Sequence, residues 1–299
     1  MNDKKILVIG STGMLGKPVT IELFRAGFQL TLLARDPAKA KKIFPRANII
    51  EADVLNKGSL FKAFQGQDEI YINLHTPQDA RISDQLPERE GIDNIIDAAR
   101  ASGINRLVIL SSLVKRYNRT RDYHWWVFDV KESAVQKIKN SGIPYTVFYA
   151  SSFMETFDQM LLKNNKVMLA GKSHAKMWFI AGEDFGRQVA WSFSKLSDES
   201  REYSVQGLEP YNWDDAARIF IANYSRGKMG IMKAPLEMIA FLGRFSRKYQ
   251  NAFMILKALN NYPEEFESQQ TWDELGKPRI KLAAYAEKKG KKRISVRPT

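Results

Sequence analysis

A run with strand character, Lys5-Ile6-Leu7-Val8-Ile9, passes directly into Gly10-Ser11-Thr12-Gly13-Met14-Leu15-Gly16, and an amphipathic helical pattern follows as far as Arg25. This juncture restricts the fold more than any other feature of the chain. A strand that turns through glycines into a helix is how a parallel α/β sheet builds an anion site: the glycines let the backbone approach the ligand, and the helix N-terminus faces it. A second strand-like run, Gln29-Leu30-Thr31-Leu32-Leu33, begins about twenty residues after the first, as a dinucleotide-binding unit requires. Gly10, Ser11, Thr12, Gly13, Met14, Leu15 and Gly16 are therefore the candidate pyrophosphate turn. The competing reading is a glycine-rich turn without a ligand.

The same rhythm continues through the first half of the chain. Apolar runs at residues 5–9, 29–33, 48–51, 69–74, 106–110 and 144–149 alternate with helical patterns. Continuous Val, Ile, Leu and Tyr runs suit parallel strands covered on both faces. Ala26-Gly27, Ser102-Gly103 and Ser141-Gly142 close three of the helices, where glycine takes the left-handed C-cap conformation. The expected fold class is α/β, a doubly wound parallel Rossmann sheet with a smaller, mostly helical C-terminal cap. Its domain would span residues 1–155, with about 176–196 returning to it, and residues 156–299 would form a cap whose cleft takes a substrate or partner. Helices are expected there over 153–163, 183–196, 213–224, 234–249 and 251–260, with a short strand over 176–181. The Met and Phe residues of 229–245 suggest a membrane-surface helix, but Lys233, Glu237 and Arg244 interrupt them, so packing within the core or cap is expected.

Composition removes several classes of chemistry. The chain has no cysteine, hence no disulfide, thiolate nucleophile or iron–sulfur cluster. Its three histidines, His75, His124 and His174, are too far apart in sequence for a metal motif, and no metal site is expected. The net charge of +13 raises the question of nucleic acid, yet residues 287–299 alone set six basic side chains against Glu287. A solvated basic tail is the preferred reading and nucleic acid an unlikely partner. No apolar stretch is long enough to span a bilayer, and residues 1–5 enter the first strand without a signal-peptide core, so a cytoplasmic protein is expected.

A dinucleotide site must also read the adenosine ribose. NAD sites use an acidic residue at the end of the second strand, whereas this chain has Ala34-Arg35-Asp36 there. A guanidinium can hold a 2′-phosphate, so Arg35 favours NADP, with NAD as the alternative and a solvated surface charge as the plain reading. Asp53 and Val54 close the third strand and are placed to flank the adenine; Asp53 serves equally as a helix cap or turn acid. Leu74 and His75 end the fourth strand at the carboxyl edge, where ligands bind in open parallel sheets.

The glycine turn, Leu33-Ala34-Arg35-Asp36, Ser111-Ser112, Lys131-Glu132, Ser141-Gly142-Ile143-Pro144-Tyr145-Thr146 and Gly182-Glu183-Asp184-Phe185 follow the order seen in atypical short-chain dehydrogenase/reductases. Over residues 4–196 the chain resembles the NmrA-like group of NAD(P)-binding proteins. That resemblance implies a Ser, a catalytic Tyr, and a Lys four residues after the Tyr that also holds the nicotinamide ribose. Ser111 or Ser112 stands at the first position and Lys131 at the last, but Val127 occupies the tyrosine position. Lys131 is left to act alone as general acid or base, as in some NmrA-like reductases, or to pair at the surface with Glu132 or Asp129. If the helix extends back far enough, His124 and Tyr123 are replacement proton donors; otherwise they pack in a loop or interface. Ser111 and Ser112 are otherwise simple strand-end hydrogen bonders. Ser151 and Phe153 follow the sixth strand, where relatives line the nicotinamide.

Three functions follow from these residues. The first is NADPH-dependent reduction of a small apolar carbonyl, enone or quinone, with Lys131 in place of a Tyr–Lys pair. The second is a non-catalytic NAD(P)-sensing regulator or assembly factor, which Val127 favours. The third, a sugar-nucleotide epimerase-like enzyme, resembles the fold but normally uses the missing tyrosine.

Overall fold

The computed structural model describes residues 2–120, 122–196, 199–224, 227 and 229–294. The six predicted strand runs form β1 (Asn2–Ile9), β2 (Phe28–Ala34), β3 (Asn48–Glu51), β4 (Glu69–Ile72), β5 (Arg106–Ser112) and β6 (Tyr145–Ala150). Between them lie α1 (Gly16–Arg25), α2 (Pro37–Ile43), α3 (Lys57–Phe64), α4 (Ile92–Ala101) and α5 (Trp126–Lys139). Local chemistry sets several boundaries. Pro37 begins α2 while the Asp36 carboxylate accepts the Lys39 N–H at 2.9 Å, satisfying a donor that has no partner within the helix. Gly27, Gly103 and Gly142, at φ +82°, +66° and +75°, end three helices in the left-handed conformation.

The second half adds β7 (Leu162–Lys163), β8 (Lys166–Ala170), β9 (Met177–Trp178), α6 (Gly182–Lys195), β10 (Arg201–Val205) and β11 (Pro210–Tyr211). It continues with α7 (Trp213–Asn223), β12 (Gly230–Ala234), α8 (Leu236–Leu242), α9 (Arg247–Asn261), α10 (Gln269–Leu275) and α11 (Leu282–Ile294). Strand β10 pairs in parallel with β6, completing a seven-stranded sheet of order β10-β6-β5-β4-β1-β2-β3. The sheet thus draws on residues 201–205, which the sequence pattern alone groups with the cap.

Other segments also depart from expectation. Asn164 and Asn165 take positive φ, 48° and 59°, and turn β7 back onto β8 as a hairpin, so the helix expected over 153–163 is cut to a single turn at Phe157–Leu161. Strand β9 pairs with β11 rather than with the main sheet. The helix expected over 234–249 breaks after Leu242 into α8 and α9. The basic terminus forms α11, with Tyr285 and Ala286 buried and Lys288 paired to Glu183. Residues 295–299 of the expected tail, Arg297 among them, lie outside the described residues.

Strand side chains alternate between two helical layers. Leu7, Ile9, Leu107, Ile109 and Val147 face α3, α4 and α5, whereas Ile6, Val8, Val108 and Phe148 face α1 and α6. Burial on both faces is what makes these strands read as unbroken apolar runs. A third cluster, including Phe157, Phe179, Trp213 and Phe220, fills the cap. Helix α6 lies close on α1 because Gly182 and Gly186 share one face: an added Cβ would fall 2.7 Å from Pro18 Cγ or 2.8 Å from Glu22 Cγ. Asp184, buried beside them, accepts the N–H groups of Arg279 and Ile280 and thereby anchors the approach to α11.

Candidate functional site

The glycine turn is shaped from within. Gly10 has φ +83°, and an added Cβ would lie 2.1 Å from the Asn73 carbonyl; at Gly16 it would lie 1.9 Å from the Gly10 carbonyl. Both glycines are demanded by the backbone itself. Gly13 is exposed and differs, since its nearest contact is the Gly10 oxygen at 3.3 Å. The Gly13 N–H donates to that oxygen at 3.1 Å, closing the turn. Helix α1 begins without a side-chain cap and without an acid in its first turn. Ser11 is fully buried, with no hydrogen-bond partner for Oγ among the described residues. Bare helix donors, an orphaned hydroxyl and an open glycine together fit a diphosphate. Thr12, Met14 and Leu15 are half-buried around the turn.

The sheet order places the remaining candidates along one edge. Strands β2, β1, β4 and β5 are successive neighbours, so Arg35, the glycine turn, Leu74-His75 and Ser111-Ser112 follow one another across their carboxyl ends. Arg35 is exposed, and Asp36, whose charge would oppose a 2′-phosphate, has its carboxylate engaged as the α2 cap. Asp53 accepts the Leu55 N–H at 3.0 Å in a local turn, and Val54 is buried against Gly91.

Lys131 is not paired with Glu132 or Asp129. Its Nζ donates to Glu88 Oε1 at 2.5 Å, and Glu88 Oε2 accepts the Thr76 hydroxyl at 2.8 Å. Glu132 pairs with Lys115, while Asp129 receives Asn118, Arg119 and His124. Glu88 is 6% exposed and sits in the wide turn Pro87–Gly91, which the Gly91 N–H closes on the Leu86 carbonyl five residues back. Ser111, also buried and with Oγ unpartnered among the described residues, borders the same small recess with Leu74, Glu88 and Lys131.

Beyond this pair opens a largely apolar cavity of about 470 Å³. It is lined by His75, Ser112, Val127 and Lys131 and, from α9, by Ile255, Leu256 and Leu259. Val127 faces the cavity one helical turn before Lys131, so the position that resembles the catalytic tyrosine presents only methyl groups there. Asn251 closes the structure over the cavity: its amide donates to the Gln78 carbonyl at 2.9 Å and its oxygen accepts Trp125 Nε1 at 3.2 Å.

Four sequence candidates lie elsewhere. Helix α5 begins at Trp126, so residues 123 and 124 precede it and do not share the Lys131 face. Tyr123 is buried, donates to the Met254 carbonyl at 2.9 Å, and has its hydroxyl pKa pushed up by that burial. His124 is exposed and holds Asp129 Oδ2 at 2.5 Å. Ser151 donates to Glu264 at 2.8 Å and Phe153 packs in the core, while Ser152 and Thr156 line the cavity instead. Glu88 and Asn251 carry no motif and are not marked by sequence spacing. Ser152 could have been found by continuing the alternation past β6, whereas Thr156 lies in the helical turn that follows.

Solved structures share this fold. Triphenylmethane reductase of Citrobacter sp., complexed with NADP(H), superposes with TM-score 0.72 at 18% identity, covering 96% of this chain and 99% of that one. An NADPH-dependent quinone oxidoreductase from Escherichia coli gives TM-score 0.71 at 19% identity, covering 95% and 99%. Among curated relatives, the photosystem II assembly factor Ycf39 of Guillardia theta is 24% identical over 243 residues, 79% of this chain and 75% of the relative. The model of the NmrA-like family matches residues 2–225, from the first strand through the glycine turn, Lys131 and the Gly182 helix, and the chain belongs to the NmrA-like family.

Proposed function

We propose that the protein is an NADP(H)-dependent reductase of a small apolar carbonyl, enone or quinone. The observation that carries this reading is the position of Lys131: its Nζ borders an apolar cavity of about 470 Å³ at the end of the strand edge that begins with Arg35 and the glycine turn. Gly10 to Gly16 would hold the diphosphate, Arg35 a 2′-phosphate, and Leu74, His75 and Ser111 would border the nicotinamide half. When bound there, a reduced nicotinamide supplies hydride. Lys131 supplies the proton from Nζ to the acceptor oxygen, and Glu88 with Thr76 fixes where that ammonium sits. The apolar walls exclude water and select an acceptor without charge. The solved structures of a triphenylmethane reductase and a quinone oxidoreductase lend this reading support at the level of fold.

Single-turnover oxidation of bound NADPH, followed with quinones, enones and aldehydes in the wild type and in Lys131→Ala, tests it directly. The expected result is turnover with at least one class and a loss of about a hundredfold or more in the variant, within the range of general acid catalysis.

A second reading, a non-catalytic NAD(P)-sensing assembly factor, draws on Val127 and on the relatives named as assembly factors. Tight NADPH binding without turnover of any acceptor would favour it.

A further inference from the structure

We propose that the hairpin of α8 and α9 docks on a bilayer surface containing acidic phospholipid. Helix α8, Leu236-Glu237-Met238-Ile239-Ala240-Phe241-Leu242, is almost wholly apolar yet buries none of its residues. Its Met238 and Phe241 are 46% and 55% exposed, and Phe245 just beyond it is 78% exposed. Tyr249, at the start of α9, adds an amphipathic ring at the same tip. A helix that gains so little from its own fold leaves an apolar surface for a partner to cover.

The charge around this surface selects the partner. Arg244, Arg247 and Lys248 are exposed and have no carboxylate partner among the described residues, whereas nearby Lys233 is held by Asp214 at 2.6 Å. Glu237 is the only acid between residues 229 and 262, and the whole chain carries +13. Apolar and aromatic side chains flanked by arginine and lysine are the composition of a segment lying in the interface of an acidic bilayer. A two-fold pairing of this tip with a second copy would bring the three cations against their own equivalents. No helix among the described residues is long and apolar enough to cross a membrane, so the mode is surface docking. The same α9 supplies Asn251, Ala252, Ile255, Leu256 and Leu259 to the cavity wall, which sets the docked hairpin beside the cavity.

The test is flotation of the full chain with vesicles of phosphatidylcholine alone and of phosphatidylcholine mixed with phosphatidylglycerol, in low and high salt. It reads binding without turnover, so it stands or falls apart from the reductase reading. The wild type is expected to float with the phosphatidylglycerol vesicles only and to be released by salt. The triple variant Arg244→Gln/Arg247→Gln/Lys248→Gln is expected to partition roughly a hundredfold more weakly, and Phe241→Ser/Phe245→Ser to lose binding. Thermal melts of both variants should match the wild type, since every altered side chain is exposed. Absence of flotation, or equal binding to phosphatidylcholine alone, overturns the proposal. So does a salt-insensitive dimer dissolved by Phe241→Ser/Phe245→Ser, which would assign the patch to a second copy.

Discussion

Lys131 Nζ and Glu88 Oε1 meet at 2.5 Å although the two residues are 43 positions apart, one on α5 and the other in the turn that precedes α4. The pair is mostly withdrawn from water, with side-chain exposures of 21% and 7%. Removing one partner then costs more than removing both, because the survivor stays desolvated and alone. Glu88→Gln is expected to lower stability by about 1–3 kcal/mol, and Lys131→Met by a similar amount. The double variant should be no less stable than either single variant, a loss well short of the sum of the two. Urea unfolding of the four proteins measures this; strictly additive losses would mean that the pair is not energetically coupled.

The glycine turn separates folding from binding. Gly10→Ala forces a Cβ to within 2.1 Å of a backbone oxygen at φ +83°, so it is expected to unfold the protein or cost more than about 3 kcal/mol. Gly13→Ala meets only one oxygen, at 3.3 Å, and should stay within about 1 kcal/mol of wild type. If the turn holds the diphosphate as proposed, the added methyl would stand in its way, and NADPH affinity should fall at least about tenfold. Thermal melts and fluorescence titration of both variants distinguish the roles, and an unchanged NADPH affinity in Gly13→Ala would remove the turn from the binding site.

Arg35 should decide between the two nicotinamide dinucleotides. Because the Asp36 carboxylate is taken up by the Lys39 N–H at 2.9 Å, the exposed guanidinium faces little competition for a 2′-phosphate. Arg35→Ser is expected to weaken NADPH binding by about tenfold or more and to leave NADH binding nearly unchanged. Equal titration curves for NADPH and NADH in the wild type would refute the assignment.

Glu155 gives the stability a pH signature. It is 3% exposed, and burial raises its carboxyl pKa above the usual range; the Gly182 N–H at 2.9 Å and the charge of Lys289 offset that only in part. A raised folded pKa means that the contribution is fully present below the unfolded value, about 4.3, and is lost as pH rises through the folded value. The stability of the wild type should therefore decline relative to Glu155→Gln from about pH 4.3 upward, then run parallel. Urea unfolding of both proteins across that range measures it, and profiles parallel throughout would show that Glu155 titrates normally.

What was legible in the chain was periodic or local. Residues 5–9 read as a strand because that central parallel strand is buried on both faces, and the three small-residue–glycine pairs read as helix ends because the left-handed cap favours glycine. The turn at Asn164-Asn165, directly after the residues that read as a helix, was also a local signal, since two successive positive-φ asparagines make a hairpin turn. By contrast, α8 looked like packing material by its composition, and its exposure depends on α9 leaving its outer face uncovered.

By itself, then, the sequence determined the parallel α/β sheet, the glycine turn and the absence of a hydroxyl at Val127, since each is written in neighbouring residues or in a fixed helical spacing. The tertiary structure decided that Glu88 rather than Glu132 or Asp129 holds Lys131, that Tyr123 and His124 stand outside its helix, and that Arg201–Val205 completes the sheet. Those outcomes join segments distant in the chain, and no local periodicity encodes which buried carboxylate or strand edge will be nearest once the layers pack.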